Sequence, residues 1–196
     1  MPEKVKLDLP GAEVYFFPDF LTPAEDAEFF SRLMLEVTWK QESMKMFGKE
    51  VKLPRLTSWH ASDGLSYSYS GITSLPLPWL PPLTWLREKV EQVCQCSFNS
   101  VLLNLYRDGN DSVSWHADDE KELGPDPLIA SVSLGAPRRF QFKSRVKPES
   151  RREILLTSGC LLFMGLGSQT LWLHQVPKEK MATQARINLT FRCMEM

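Results

Sequence analysis

His116 and Asp118 stand two apart in the stretch Trp115-His116-Ala117-Asp118-Asp119-Glu120. On an extended segment, residues spaced by one share a face, so an imidazole nitrogen and a carboxylate oxygen can reach one point in space. Two imidazoles and one carboxylate on one face of an octahedron, with the other positions open, suit non-haem Fe(II). A second histidine is then required, and the chain has three in all. His60 lies well before the pair, whereas His174 sits in the apolar, strand-like run Leu171-Trp172-Leu173-His174-Gln175-Val176 and is the candidate third ligand. The competing reading is plain. A His-x-Asp pair arises by chance in many proteins, and a histidine in an apolar strand is more often a satisfied core residue.

The elements that would hold such a site can be traced along the chain. With 196 residues, 43% of them hydrophobic and 24% charged, the chain supports one domain with one sizeable core, spanning 1–196. A strand starting at Val14 ends at Pro18, and Thr22-Pro23-Ala24-Glu25 spells a capping box with proline at the first helical position. The helix that follows turns Phe29, Phe30, Leu33, Met34 and Val37 to the core and Glu25, Glu28, Arg32 and Glu36 to solvent. Residues 44–71 read as hairpins and loops, broken by glycine, proline and lysine. Met46-Phe47-Gly48 is either a turn tucked on the core or a projecting apolar wedge. Trp59, Tyr67 and Tyr69, with Ser70 beside them, are either core filling or a stacking wall for a flat ligand. A proline-rich run at 75–82 leads into a second amphipathic helix with Leu83, Leu86, Val90 and Val93 as its core stripe.

From residue 100 onward the pattern changes to strands, at 101–106, 129–134, 140–143, 154–156, 161–164, 171–176 and 186–192. Short strands punctuated by glycine and proline predict a mostly β fold of two antiparallel sheets, with the helices flanking one outer face. In the last strand Arg186, Asn188, Thr190 and Arg192 share one face, and Ile187, Leu189 and Phe191 the other. The polar face is either solvated at the edge of a sandwich or built to receive an anion. Asn104 and Tyr106 interrupt the otherwise apolar strand at 101–106. Such donors, with an arginine fork, suit a dicarboxylate.

Charge and cysteines narrow the setting. A net charge of −1 gives no global attraction to nucleic acid, so any such binding needs a local basic patch. Cys94, Cys96, Cys160 and Cys193 match no common zinc spacing and are too few for a disulfide framework, so they read as reduced thiols. No apolar stretch reaches bilayer length and the first residues lead into no signal-like segment, which predicts a soluble, intracellular protein.

Taken in order, His116-x-Asp118, a distant His174 and a terminal Arg186-x-Asn188-x-Thr190-Phe191-Arg192 resemble the AlkB family of Fe(II)- and 2-oxoglutarate-dependent dioxygenases. The resemblance covers nearly everything from Phe47 to Arg192. It implies a double-stranded β-helix, or jelly roll, with helices and nucleotide-recognition hairpins over about 14–98 and the core over about 99–194. It also implies His116, Asp118 and His174 as iron ligands. Arg186, Asn188 and Tyr106 would hold the distal carboxylate of 2-oxoglutarate, and Asn104 and Arg192 would lie near its keto-acid end.

The implied reaction uses dioxygen and couples decarboxylation of 2-oxoglutarate, which leaves succinate, to oxidation of an N-methyl group, which leaves as formaldehyde. The implied substrate is alkylated DNA, single- or double-stranded, of the 1-methyladenine and 3-methylcytosine type, with RNA as the alternative. Glu120 resembles the carboxylate that meets the damaged base, whose positive charge it would favour; an ordinary surface acid is the alternative. Met46-Phe47-Gly48-Lys49 resembles the finger of the double-strand branch, whereas Pro54-Arg55-Leu56-Thr57 resembles the single-strand and RNA branch. Arg138 and Arg139, with other lysines and arginines, are candidates for a phosphate-binding rim. The resemblance further implies a monomer, nuclear in a eukaryote and cytoplasmic in a bacterium. A silent jelly-roll module that binds metal or modified nucleic acid without turnover is the reading from another class.

Overall fold

The computed structural model describes residues 3–46, 49–65, 67–69 and 72–195, with only the backbone for 44–46, 67–69 and 72–74. The chain opens with β1 (Val5–Lys6), β2 (Val14–Phe17) and α1 (Pro23–Glu36). Two short antiparallel pairs flank a longer strand: β3 (Ser43–Met46) with β4 (Lys49–Lys52), then β5 (Leu56–Ala61), then β6 (Tyr67–Tyr69) with β7 (Ile72–Ser74). Helix α2 (Pro81–Cys94) precedes β8 (Ser100–Tyr106), β9 (Val113–His116), β10 (Ile129–Gly135) and β11 (Arg138–Ser144). The chain continues through β12 (Arg151–Leu156), β13 (Cys160–Met164), the one-turn helix α3 (Ser168–Leu171), β14 (Trp172–Val176) and β15 (Arg186–Arg192).

The strands form a major sheet, β1-β2-β13-β10-β15-β8-β5, and a minor sheet, β12-β11-β14-β9. The pairings inside both are antiparallel, as expected for a jelly roll. Two apolar clusters divide the interior. One joins Phe29 and Leu33 of α1 and Leu83, Leu86 and Val90 of α2 to Val101, Leu103, Ile187, Leu189 and Phe191 of the major sheet. The other, with Tyr106, Phe140, Phe142 and Trp172, lies between the sheets.

Helix α1 begins as its sequence dictates: Thr22 Oγ1 accepts the Glu25 N–H at 3.3 Å and the Glu25 carboxylate accepts the Thr22 N–H at 2.8 Å. Glu25 also binds Lys89 Nζ at 2.8 Å, so the cap residue ties α1 to α2 and is half-buried instead of solvated. Met34 is exposed, contrary to the expected core stripe, because α2 and the sheet cover only the face centred on Phe29 and Leu33.

Strand β15 is not a half-solvated edge. It lies between β10 and β8, and the seven residues are buried apart from a half-buried Arg192. Its apolar residues meet the helices, and its polar residues face the minor sheet. The polar side of that strand therefore sits inside the molecule.

Candidate metal and 2-oxoglutarate site

Strands β9 and β14 bring His116 and His174 directly opposite one another, with ring centroids 4.2 Å apart. The ladder shifts register between His174 and Val176, an irregularity that re-aims side chains beside the pair. Asp118 lies two residues beyond the end of β9, and its Oδ2 is 4.0 Å from His174 Nε2. One ligand atom from each of the three residues falls within 4.8 Å of the others. His116 Nδ1 is 2.8 Å from the Ser114 carbonyl, which can only accept, so Nδ1 carries a proton and Nε2 is the nitrogen placed to meet a metal. His174 stacks on Phe140, with centroids 5.3 Å apart and planes 19° apart.

Electrostatics prepare this trio for a cation. Burial, reinforced by His116, pushes the His174 pKa down to about 3, so the imidazole is neutral and free to donate. For Asp118 burial pushes upward, but the Arg192 guanidinium and the two imidazoles outweigh it and hold the carboxyl below the usual carboxylate range. Arg192 Nη2 donates to Asp118 Oδ1 at 2.5 Å, leaving Oδ2 turned toward His174. Imidazole nitrogens and one ionised carboxylate are the donor chemistry that a divalent iron needs.

The antiparallel register of β15 and β8 pairs Arg186 with Tyr106 and Asn188 with Asn104. All four are buried. Arg186 is 1% exposed, its Nη2 donates to Ser133 Oγ at 2.8 Å, and its Nε and Nη1 have no hydrogen-bond partner among the described residues. Its guanidinium carbon lies 5.1 Å from the Tyr106 ring centroid. Burial pushes the Arg186 pKa below its ordinary value. A buried fork with two unused donors is a cradle for a carboxylate, and the charge and shape of the distal end of 2-oxoglutarate fit it.

Asn188, expected beside that carboxylate, is engaged with its own neighbours. Its Nδ2 donates to Ser131 Oγ at 2.7 Å and to the Val132 carbonyl at 3.3 Å. Its Oδ1 accepts from Thr190 Oγ1 at 2.9 Å and from Asn104 Nδ2 at 3.5 Å. With both amide hydrogens engaged, Asn188 braces its neighbours. Arg55 Nε donates to Asn104 Oδ1 at 2.7 Å, which fixes that amide with its nitrogen toward Asn188.

The expected nucleic-acid contacts divide. Arg138 does not belong to a rim: it is 1% exposed, and its guanidinium donates to the carbonyls of Asp108, Asp111 and Pro177 at 3.1, 2.9 and 2.7 Å. It is a strut between the loop after β8 and the loop after β14, because three inward-facing carbonyls there need a donor. Arg139 points outward and pairs with Glu179 at 3.5 Å. Trp59 sits on β5 opposite Leu102, half-buried against the cluster between the sheets. Glu120 is half-buried just before a single 3-10 turn, Lys121–Leu123, and is not a fully solvated surface acid. Tyr67 and Tyr69 lie on β6, paired with β7, whereas Phe47 and Ser70 lie outside the described residues.

Several contributors escaped the sequence reading. Ser131 and Ser133 alternate on one face of an otherwise apolar strand, a legible signal for a polar lining. Gln169 carried none. It lies on α3, 1% exposed, and its Oε1 accepts the backbone N–H of Asp118 at 3.0 Å. Helix α3 is itself held by Asp126, whose carboxylate accepts the Gly167 N–H at 2.8 Å and the Thr170 hydroxyl at 3.0 Å. Gly167 has φ +77°, and a Cβ there would overlap the Gly11 carbonyl, so glycine is required for this turn. Gln169 thus ties the Asp118 backbone to the segment leading into His174. Gln169→Met keeps the bulk and removes the acceptor, so it weakens metal affinity by about 10–100-fold, as loss of an outer-shell partner typically does. Cobalt(II) titration followed by absorbance measures this, and an unchanged dissociation constant would assign Gln169 to packing alone.

Comparison with known proteins agrees with this geometry. Residues 13–192 match the model of the 2OG-Fe(II) oxygenase superfamily. The mouse protein named alpha-ketoglutarate-dependent dioxygenase alkB homolog 3 is 41% identical over 190 residues, which cover 92% of this chain and 66% of that protein. The human DNA oxidative demethylase ALKBH2 is 42% identical over 179 residues, covering 86% of this chain and 69% of that protein. The chain thus spans just under two thirds of the alkB homolog 3 protein from mouse. The solved structure of OsALKBH1 superposes with a TM-score of 0.69 at 18% identity, covering 97% of this chain and 100% of that one, a likeness of fold.

Proposed function

Because this chain belongs to the 2OG-Fe(II) oxygenase superfamily, among its AlkB-like dioxygenases, we propose that it demethylates N-alkylated bases in DNA by oxidation coupled to 2-oxoglutarate. The observation that carries this reading is the placing of the His116-Asp118-His174 trio and the unsatisfied Arg186 fork on facing surfaces between the two sheets. His116 Nε2, Asp118 Oδ2 and His174 Nε2 would hold iron, and Arg186, with Tyr106 beside it, the distal carboxylate of 2-oxoglutarate. Iron, 2-oxoglutarate and dioxygen together supply the oxidation that turns an N-methyl group into a hydroxymethyl group, which leaves as formaldehyde.

The protein's own work is geometric and electrostatic. Arg192 keeps Asp118 ionised and oriented, and burial keeps His174 unprotonated at neutral pH. Buried walls from both sheets keep water away from the reacting centre. Glu120, two residues past Asp118, places a carboxylate where a cationic methylated base would be preferred over its neutral parent. The reading carries with it a monomer inside the cell, nuclear in a eukaryote and cytoplasmic in a bacterium. Among the described residues, no helix is long and apolar enough to cross a membrane.

DNA is chosen over RNA because a relative named for DNA demethylation is 42% identical and is covered over 69% of its length. The test is succinate release with no oligonucleotide, with methylated DNA and with methylated RNA. Methyl-dependent release on DNA supports the proposal, and release on RNA alone transfers it to RNA. Absent release overturns it in favour of a silent module, and methyl-independent release overturns it in favour of an oxygenase whose substrate is not the methylated base. The wedge reading of Phe47 adds a prediction. Unstacking and unpairing a base costs a few kcal/mol, and a single strand needs less of that help. Phe47→Ala therefore lowers demethylation of a duplex far more than that of the same lesion in a single strand, whereas equal losses on both would make Phe47 a packing residue.

A further inference from the structure

Two buried arginines approach one ring. Arg138, the first residue of β11, reaches Tyr106 from the minor sheet, with its guanidinium carbon 5.6 Å from the ring centroid. Arg186, the cross-strand partner of Tyr106 in the major sheet, stands 5.1 Å from the same centroid. Both distances fall inside the roughly 6 Å range in which a guanidinium is attracted to an aromatic ring. Arg138 and Arg186 are each 1% exposed and Tyr106 is 2% exposed, so water screens none of the three.

The two arginines differ in what else they hold. Arg186 keeps Nε and Nη1 unused. Every nitrogen of Arg138 is engaged: Nε donates to Glu179 Oε1 at 3.3 Å, Nη1 to the Asp108 carbonyl at 3.1 Å, and Nη2 to the carbonyls of Asp111 and Pro177 at 2.9 and 2.7 Å. These partners belong to two loops, 107–112, which continues β8 directly after Tyr106, and 177–185, which leads into β15 at Arg186. The loops also grip each other. Gly109 donates to the Ala182 carbonyl at 2.6 Å and accepts the Glu179 N–H at 2.8 Å. A Cβ on Gly109 would lie 1.7 Å from the Glu179 carbonyl oxygen, so only glycine permits this approach. Joined in this way, the loops close the end of the major sheet at which Tyr106 and Arg186 stand.

We propose that Arg138 is a positioning residue for 2-oxoglutarate: locked in place by the two loops, it holds the Tyr106 ring beside Arg186 and so fixes the end of the pocket that receives the distal carboxylate. This rests on the cofactor reading given above. Arg138 itself does not grip the ligand, because the loop carbonyls and Glu179 take its hydrogen bonds. Its effect travels through the ring. Without that brace Tyr106 and Arg186 must be ordered as the dicarboxylate arrives, and the ordering is subtracted from the binding free energy.

The experiment titrates 2-oxoglutarate by calorimetry into the full chain loaded with cobalt(II), without oligonucleotide, and records the melting midpoint of the ligand-free protein alongside. Arg138→Met, which keeps an unbranched side chain but donates to nothing, weakens 2-oxoglutarate binding by about tenfold. The cobalt(II) dissociation constant stays unchanged. In a Tyr106→Leu background the same substitution weakens binding by less than about twofold, because the ring through which it acts is gone. A lowered melting midpoint with an unaltered 2-oxoglutarate affinity makes Arg138 a strut alone and overturns the proposal. So does a full tenfold loss in the Tyr106→Leu background. Where Arg138→Met does not fold, Arg138→Lys, which keeps the charge but cannot span the loop carbonyls, is judged by the same criteria. Absence of 2-oxoglutarate binding by the unaltered chain overturns the cofactor reading and this proposal with it, whereas normal binding that Arg138 variants retain overturns this proposal alone.

Discussion

On the proposed function, His174→Ala takes demethylation to background in a protein that remains folded. The imidazole lies opposite His116 and 4.0 Å from Asp118, so its removal leaves two donors where a facial set needs three. The vacated volume is small and walled by Phe140 and Phe142, which limits the damage to packing. The measurements are succinate and formaldehyde release at saturating 2-oxoglutarate, with iron content and thermal melting recorded on the same sample. The expected pattern is a lost metal, lost turnover and a melting curve that stays cooperative. Normal turnover by a folded variant would remove His174 from the site.

Arg186→Lys raises the 2-oxoglutarate concentration needed for half-maximal rate. The ammonium keeps the charge but offers no planar fork, so one charge-assisted hydrogen bond to the carboxylate is lost, about 1.5–3 kcal/mol. At about 1.4 kcal/mol per tenfold this amounts to roughly one to two orders of magnitude. Iron affinity, measured separately with cobalt(II), stays near that of the unaltered protein, because the side-chain hydrogen bond of Arg186 goes to Ser133 and not to an iron ligand. An unchanged apparent KM for 2-oxoglutarate would move the clamp to another residue.

Local chemistry was legible wherever it repeats along a strand or sits within a turn of itself. The capping box of α1, the two-residue spacing of His116 and Asp118 and the alternating polar face of β15 each follow from one segment alone. What escaped depends on partners far along the chain. Arg138 stands beside Arg139 in the sequence, and nothing local separates a buried strut from a surface cation. Gln169 meets Asp118 across 51 residues, from a single helical turn too short to leave a periodic pattern. The face of Asn188 follows from strand alternation, but its partners Ser131 and Val132 come from the adjoining strand and leave no trace in its own segment.

The two unused donors of Arg186 also have a thermodynamic consequence. A buried cation without a counter-charge is a cost carried by the folded state. A dicarboxylate that docks there removes the cost only in the folded state, so binding and folding become linked equilibria. At a ligand concentration a hundred times the dissociation constant, that linkage is worth about 2.7 kcal/mol, enough to raise the melting temperature by several degrees in a chain of this size. The denaturation midpoint then serves as a gauge of 2-oxoglutarate itself, and a monocarboxylate keto acid, which offers nothing to the fork, leaves that midpoint much nearer its starting value.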